Sequence, residues 1–201
     1  KDFSKAITME LKAAGDSLYL IGPRFDELGG SEYYRTALHE TGANVPIVRF
    51  DLERSMIYAV IDAIDEGLLA AAHDISNGGL AASICEMALV RPARFGVDLN
   101  LDRVQGGDGG DGGGEGGSLE AGLRTDRLLF SESSGFVLEA KKGKEARLAE
   151  LLAGYGLMAM QIGTVTGKRR IVMARSGKAV VDLDLDQAKE AWTAGLVEAM
   201  R

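Results

Sequence analysis

The stretch Ala70-Ala71-Ala72-His73-Asp74-Ile75-Ser76-Asn77-Gly78-Gly79-Leu80 constrains this chain more than any other. Before it, the apolar run Leu68 to Ala72 reads as a buried strand; after it, Leu80 to Leu89 reads as a helix. The chain must therefore pass from strand to helix through the short polar turn His73 to Gly79. Gly78 and Gly79 accept positive φ and leave the backbone open to close approach. A helix N-terminus carries partial positive charge and free N–H groups, so an anion such as phosphate suits this turn, with Ser76 and Asn77 beside it. Asp74 adds a carboxylate of the kind that favours a hard cation such as Mg²⁺. The plainer reading is that Ser76 or Asn77 caps the helix and the glycines shape the turn.

Further elements follow on either side. Leu18 to Ile21 reads as a strand stopped by Gly22-Pro23, and Arg24 to Gly30 as a loop closing on Gly29-Gly30. Ser31 is a reasonable N-cap for a helix from Glu32 to about Glu40, stopped at Gly42. Pro46 then sets off a short apolar piece, Ile47-Val48. Leu52 to Glu66 carries Met56, Ile57, Val60, Ile61 and Ile64 at helical spacing. In the helix after the turn, Leu80, Ile84, Met87 and Ala88 share one side, and Arg91-Pro92 ends it. Gly96 to Leu101 alternates as a half-exposed strand does. Leu128 to Phe130 reads as an apolar strand, and Gly135 to Ala140 as another. Lys144 to Leu152 reads as a helix, followed by strands over Met158–Val165, Arg170–Ala174 and Ala179–Leu183, the last two as a hairpin. Asp186 to Met200 reads as a closing helix with Ala188, Trp192, Leu196 and Ala199 inward. Mixed elements without strict alternation give an α+β class, layered around a mixed sheet.

Between the two halves lies Gln105 to Ser118. Its core, residues 106–117, holds nine glycines and three acidic residues and nothing else. Such a stretch cannot bury enough apolar surface to offset its ordering entropy, so it reads as a flexible surface loop. It lacks the Lys-Ser/Thr ending of a phosphate loop, and its acidic residues repel phosphate.

Several functions are excluded. A net charge of −7 argues against non-specific nucleic-acid binding. No apolar run approaches the roughly 20 residues that span a bilayer, so a cytoplasmic protein is expected. Cys85 stands alone, which rules out an internal disulfide, and its neighbours suggest a buried core thiol. His39 and His73 are the only histidines, and no Gly-x-Ser-x-Gly elbow is present, so no nucleophilic serine and no catalytic residue is assigned. Clustered Cys and His of the zinc type are absent too.

Three polar clusters remain: Glu27-Leu28-Gly29-Gly30-Ser31-Glu32-Tyr33, His73 to Leu80, and Leu129-Phe130-Ser131-Glu132-Ser133. Each is weak alone. In this order they closely resemble the C-terminal region of the phosphoribosylformylglycinamidine synthases, from about Asp16 to Ala174. These are amidotransferase ligases of purine biosynthesis, in a superfamily with aminoimidazole ribonucleotide synthetase, selenophosphate synthetase, thiamine monophosphate kinase and a hydrogenase-maturation protein. The resemblance implies an α/β/α domain with a largely antiparallel sheet, residues 1–201 being one C-terminal domain of a longer chain. It also implies ATP and Mg²⁺ in the parent enzyme, and as partners the N-terminal half, a glutaminase subunit and a small accessory subunit. A homodimer through the sheet is a further expectation.

The wording Leu28-Gly29-Gly30-Ser31-Glu32-Tyr33 resembles the second of two internal copies in that family, the one with a structural role. Ligand candidates carried over are Gly29, Gly30, Ser31, Glu32, Ser76, Asn77, Gly78, Gly79, Ser131 and Ser133, with Asp74 and Glu132 as metal candidates. Asn77 stands where Asp is usual, Ser134 where the substrate-binding copy often has Gln, and the acidic insert has no counterpart. All three point to a supporting role, inactive alone. The alternatives are a domain of the selenophosphate or aminoimidazole ribonucleotide synthetase type, or a non-catalytic, nucleotide-stabilised pseudo-site.

Overall fold

The computed structural model describes residues 2–90, 93–107 and 122–199. Strand β1 (Ser17–Ile21) is buried along its whole length. Its side chains alternate: Leu18 and Leu20 enter one apolar cluster, Tyr19 and Ile21 another. A strand buried on both faces needs cover on both. On the Leu18 side lie α2 (Gly79–Leu89), the short α3 (Thr125–Phe130) and α5 (Leu185–Ala199), packed through Leu80, Ile84, Met87, Leu128, Leu129 and Leu185. On the Tyr19 side lie α1 (Phe50–Asp65), through Met56, Ala59, Val60 and Ala63, and α4 (Glu145–Gly154), through Leu148, Leu151 and Leu152.

The other strands are β2 (Leu69–Asp74), β3 (Gly96–Asn100), β4 (Phe136–Ala140), β5 (Met160–Thr166), β6 (Arg170–Arg175) and β7 (Lys178–Asp184). Their order is β2-β4-β1-β5-β3-β6-β7, antiparallel throughout except for the parallel pair β3–β6. This is the α+β fold expected, with helices on both faces of a mixed, largely antiparallel sheet. β6 and β7 form the expected hairpin, turning at Ser176-Gly177 with both residues at positive φ.

Several local expectations are corrected. Leu128 to Phe130 belongs to a helix, not a strand. A three-residue apolar run carries no period, and packing of Leu128 and Leu129 beneath α2 decides its form. β2 runs on through His73 and Asp74, which pair with Val137 and Phe136, so the turn is shorter than the sequence suggests. The expected helix from Glu32 becomes a π-helical turn, Tyr34–Leu38, closed by His39 at φ 56°. No residue of that turn is buried, so nothing holds it to α-helical geometry. The short apolar piece Ile47-Val48 is exposed.

Trp192, expected inward, is half exposed, whereas Ala188 does pack on the core. The Leu196 and Ala199 side chains, the Arg91-Pro92 stop and the end of α5 at Met200 lie outside the described residues. Trp192 borders an apolar cavity of about 380 Å³, together with Ala82, Cys85, Leu89, Leu183 and Ala188. Cys85 is only partly buried, yet burial still pushes its thiol up to about 11. Most of the glycine-rich insert, from residue 108 on, also lies outside the described residues. Its first residues are not loose: Arg24 N–H donates to the Gln105 carbonyl at 2.9 Å, and Gly107 N–H to the Arg24 carbonyl at 2.8 Å.

One buried acid gives the fold a pH signature. Glu139, on β4 between β2 and β1, accepts hydrogen bonds from the Lys12 and Ala13 N–H groups at 3.0–3.1 Å. Burial raises its carboxyl from 4.5 to about 7 against those bonds, and the neighbouring Asp16 adds to the rise. The folded protein thus keeps a proton that the unfolded chain releases near 4.5. Folding takes up that proton between the two values, so this group's stabilising contribution is full below about 4.5 and lost as pH rises to about 7. Glu139→Gln is expected to flatten this slope. Urea midpoints at pH 5 and pH 8 measure it, and an unchanged slope in the variant would refute the assignment.

Candidate functional site

The Ser131–Ser134 loop joins α3 to β4, beside the N-terminus of α2. Its Glu132 carboxylate draws the three polar clusters together. Oε1 of Glu132 accepts the Gly78 N–H at 2.7 Å and the Glu32 N–H at 2.9 Å. Gly78 is the N-cap of α2, at φ 81°, and having no side chain it cannot cap the helix itself. Ser76 and Asn77 are exposed and do not serve as caps, a correction to the plainer sequence reading. The carboxylate of Glu132 performs that service from 54 residues away. Gly79 N–H is bound to the Ser76 carbonyl at 3.0 Å. Both glycine N–H groups thus have partners within the chain.

The remaining candidates are also committed internally. Gly29 N–H donates to Asn44 and Gly30 N–H to Thr41, both to carbonyls. Ser31 is buried; its hydroxyl donates to the Leu28 carbonyl at 2.6 Å and accepts the Tyr34 N–H at 3.2 Å, the N-cap geometry expected of it. The Glu32 side chain pairs with Arg35. Tyr33 stacks on Phe130 with ring centroids 4.5 Å apart, a second tie between the first and third clusters.

Beneath this surface runs a buried polar network. Ser131 and Ser133 share a hydroxyl–hydroxyl bond of 2.7 Å, and the Ser133 hydroxyl donates to Glu27 Oε2 at 2.8 Å. Glu27 pairs with Arg49, whose guanidinium donates to Oε1 at 2.6 Å and lies 3.4 Å from the centroid of the Phe25 ring. Arg24 is fully buried and clamps the loop through the carbonyls of Ser131 at 3.3 Å and Ser134 at 2.7 Å. Burial pulls the Arg24 guanidinium down to about 10, opposed by nearby Glu27. The roles of Arg24 and Arg49 escaped sequence reading, because Arg24's partners lie more than 100 residues away and no periodicity marks it.

Asp74 stands apart from the clamp. Its exposed carboxylate is 3.1 Å from His73 Nδ1, while His73 Nε2 is 2.7 Å from Glu86. Glu132 directs Oε1 at N–H groups. Among the described residues no three His, Cys, Asp or Glu side chains gather to hold a metal ion. Among the described residues Asp74 and Glu132 share no hydrogen-bond partner.

A family model described as AIR synthase related protein, C-terminal domain, matches residues 13–176. The chain belongs to that family. The phosphoribosylformylglycinamidine synthase subunit PurL of Methanothrix thermoacetophila is 52% identical over 202 residues, covering all of this chain and 24% of that protein. The PurL subunit of Caldanaerobacter subterraneus is 31% identical over 193 residues, 96% of this chain and again 24% of the relative. The chain thus spans about a quarter of the relatives it matches. Among solved structures, Thermotoga maritima PurL complexed with FGAR superposes with a TM-score of 0.72 at 16% identity, over 92% of this chain and 30% of that one. The same protein complexed with ATP gives 0.68 at 15% identity, over 92% and 27%. At such identity the likeness is one of fold. The AIR synthase related fold therefore accounts for the seven-stranded sheet and both helical layers.

Proposed function

We propose that residues 1–201 form one C-terminal domain of a PurL-type synthetase subunit, serving that enzyme as a support rather than as its catalyst. The observation that supports the PurL-type assignment is the 52% identity to the Methanothrix thermoacetophila PurL subunit along the whole chain. The parent reaction is the ATP-dependent conversion of formylglycinamide ribonucleotide to formylglycinamidine ribonucleotide, with ammonia derived from glutamine. ATP phosphorylates the amide oxygen, and ammonia then displaces phosphate, giving ADP and phosphate as the other products. In-line transfer of this kind needs a metal and convergent cations. The candidate residues here turn their donors and carboxylates on one another, which favours the supporting role; ATP and Mg²⁺ then belong to the rest of the enzyme.

Partners under this reading are the N-terminal half, a glutaminase subunit and a small accessory subunit; a Thermotoga maritima PurLQS assembly has been solved. Among the described residues no helix is long and apolar enough to cross a membrane; a cytoplasmic location is part of the same proposal. The test is a paired assay with formylglycinamide ribonucleotide, ATP, Mg²⁺ and ammonia. The full-length subunit is expected to form the amidine, and the 201-residue chain to form none. Turnover by the chain alone, lost on Asp74→Ala, would overturn the supporting role.

A further inference from the structure

We propose that Glu132 is a built-in plug: its carboxylate holds the anion position at the start of α2 and locks that helix to the Ser31–Tyr34 turn. Three observations meet here. One oxygen takes an N–H from each of two elements, Gly78 at 2.7 Å and Glu32 at 2.9 Å. The loop bearing Glu132 is fixed from below, where Arg24 holds the carbonyls on either side of it and Ser133 is tied to Glu27. The helix start is pressed against the same loop: a Cβ on Gly79 would come within 2.7–2.8 Å of the Leu129 and Ser131 carbonyl oxygens.

With its backbone fixed, the carboxylate can leave only by giving up both N–H groups, and while it stays the Gly78 N–H has no capacity for an outside anion. The glycine turn that reads as a phosphate site is thus satisfied within the chain. The ligand class it suits is a small carboxylate, supplied here by a side chain. This deepens the supporting role proposed above and rests on it only for its consequence. The geometry of the plug stands independently of which reaction the parent enzyme performs.

Hydrogen exchange on the full-length protein tests this, followed in peptides covering residues 28–36 and 76–84. Wild type, Glu132→Ala and Glu132→Gln are compared in sodium chloride, sodium formate and sodium phosphate at equal ionic strength. In wild type both peptides are expected to be protected and indifferent to the anion. In Glu132→Ala both should exchange about tenfold faster or more, the factor that loss of one charge-assisted hydrogen bond gives. Formate, able to enter the vacated position, should restore most of that protection. Glu132→Gln, which keeps an acceptor oxygen without the charge, should fall between. Added protection by phosphate in wild type would show an open site and overturn the plug. So would loosening of only one peptide in Glu132→Ala, or failure of formate to rescue it. If the alanine variant folds only in formate, that is the same rescue. If it does not fold at all, unchanged protection in Glu132→Gln would refute the need for an anion.

Discussion

Arg24→Ala is expected to destabilise the protein by about 3–5 kcal/mol, from two hydrogen bonds of a charged donor at roughly 1.5–3 kcal/mol each. The substitution removes both donors to the Ser131 and Ser134 carbonyls and leaves the Ser131 carbonyl enclosed without its partner. It also takes away the positive charge that faces Glu27. A void opens next to Gly135, whose Cα would carry a Cβ only 2.9 Å from the Arg24 guanidinium. Arg24→Met refills much of that volume without the donors, and is expected to recover only the packing share. Urea unfolding of both variants measures the split. A loss below about 1 kcal/mol for the alanine variant, the scale of an ordinary exposed pair, would mean the clamp carries no weight.

Gly96→Ala is expected to be at least as damaging, for a steric reason. A Cβ at Gly96 would lie 2.0 Å from the Arg170 carbonyl oxygen and 2.3 Å from that of Lys168. Both are backbone atoms, at the point where β3 and β6 run parallel and where Arg170 is also paired with Asp184 of β7. Nothing flexible can yield, so three strands must separate. A cost of roughly 3 kcal/mol or more, or loss of soluble protein, is expected. Gly154→Ala is the control. It sits in α4 with nothing within 4 Å of the added carbon, and should stabilise by about 0.5–1 kcal/mol. Equal behaviour of the two variants in thermal melts would contradict this account.

Much of the architecture is legible in the residues because short-range periodicity records burial. The helical spacing of Met56, Val60 and Ile64, and of Leu148, Leu151 and Leu152, places α1 and α4 within a few residues of their observed bounds. The alternation of Val97, Leu99 and Leu101 marks β3, and Ser176-Gly177 marks the hairpin. Where the pattern is too short to carry a period, as at Leu128-Leu129-Phe130, tertiary packing chose the helix. Where no apolar face exists, as at Tyr34–Leu38, the backbone took an irregular turn.

Residue type and local spacing single out three clusters that are polar, glycine-rich and set at strand or helix ends. What they do to one another depends on how the fold brings them together. A carboxylate at position 132 reads equally well as a ligand for a metal or as an acceptor for N–H groups. That choice depends on where Gly78 and Glu32 lie in space, separated from it by 54 and 100 residues. The same distance hid Arg24, since a buried guanidinium is stabilised by carbonyls that no local pattern connects to it. Periodicity reports whether a position faces the core, because burial repeats with the backbone's own geometry. Partnership between polar groups has no such repeat, and emerges only when the sheet order brings distant loops to one edge.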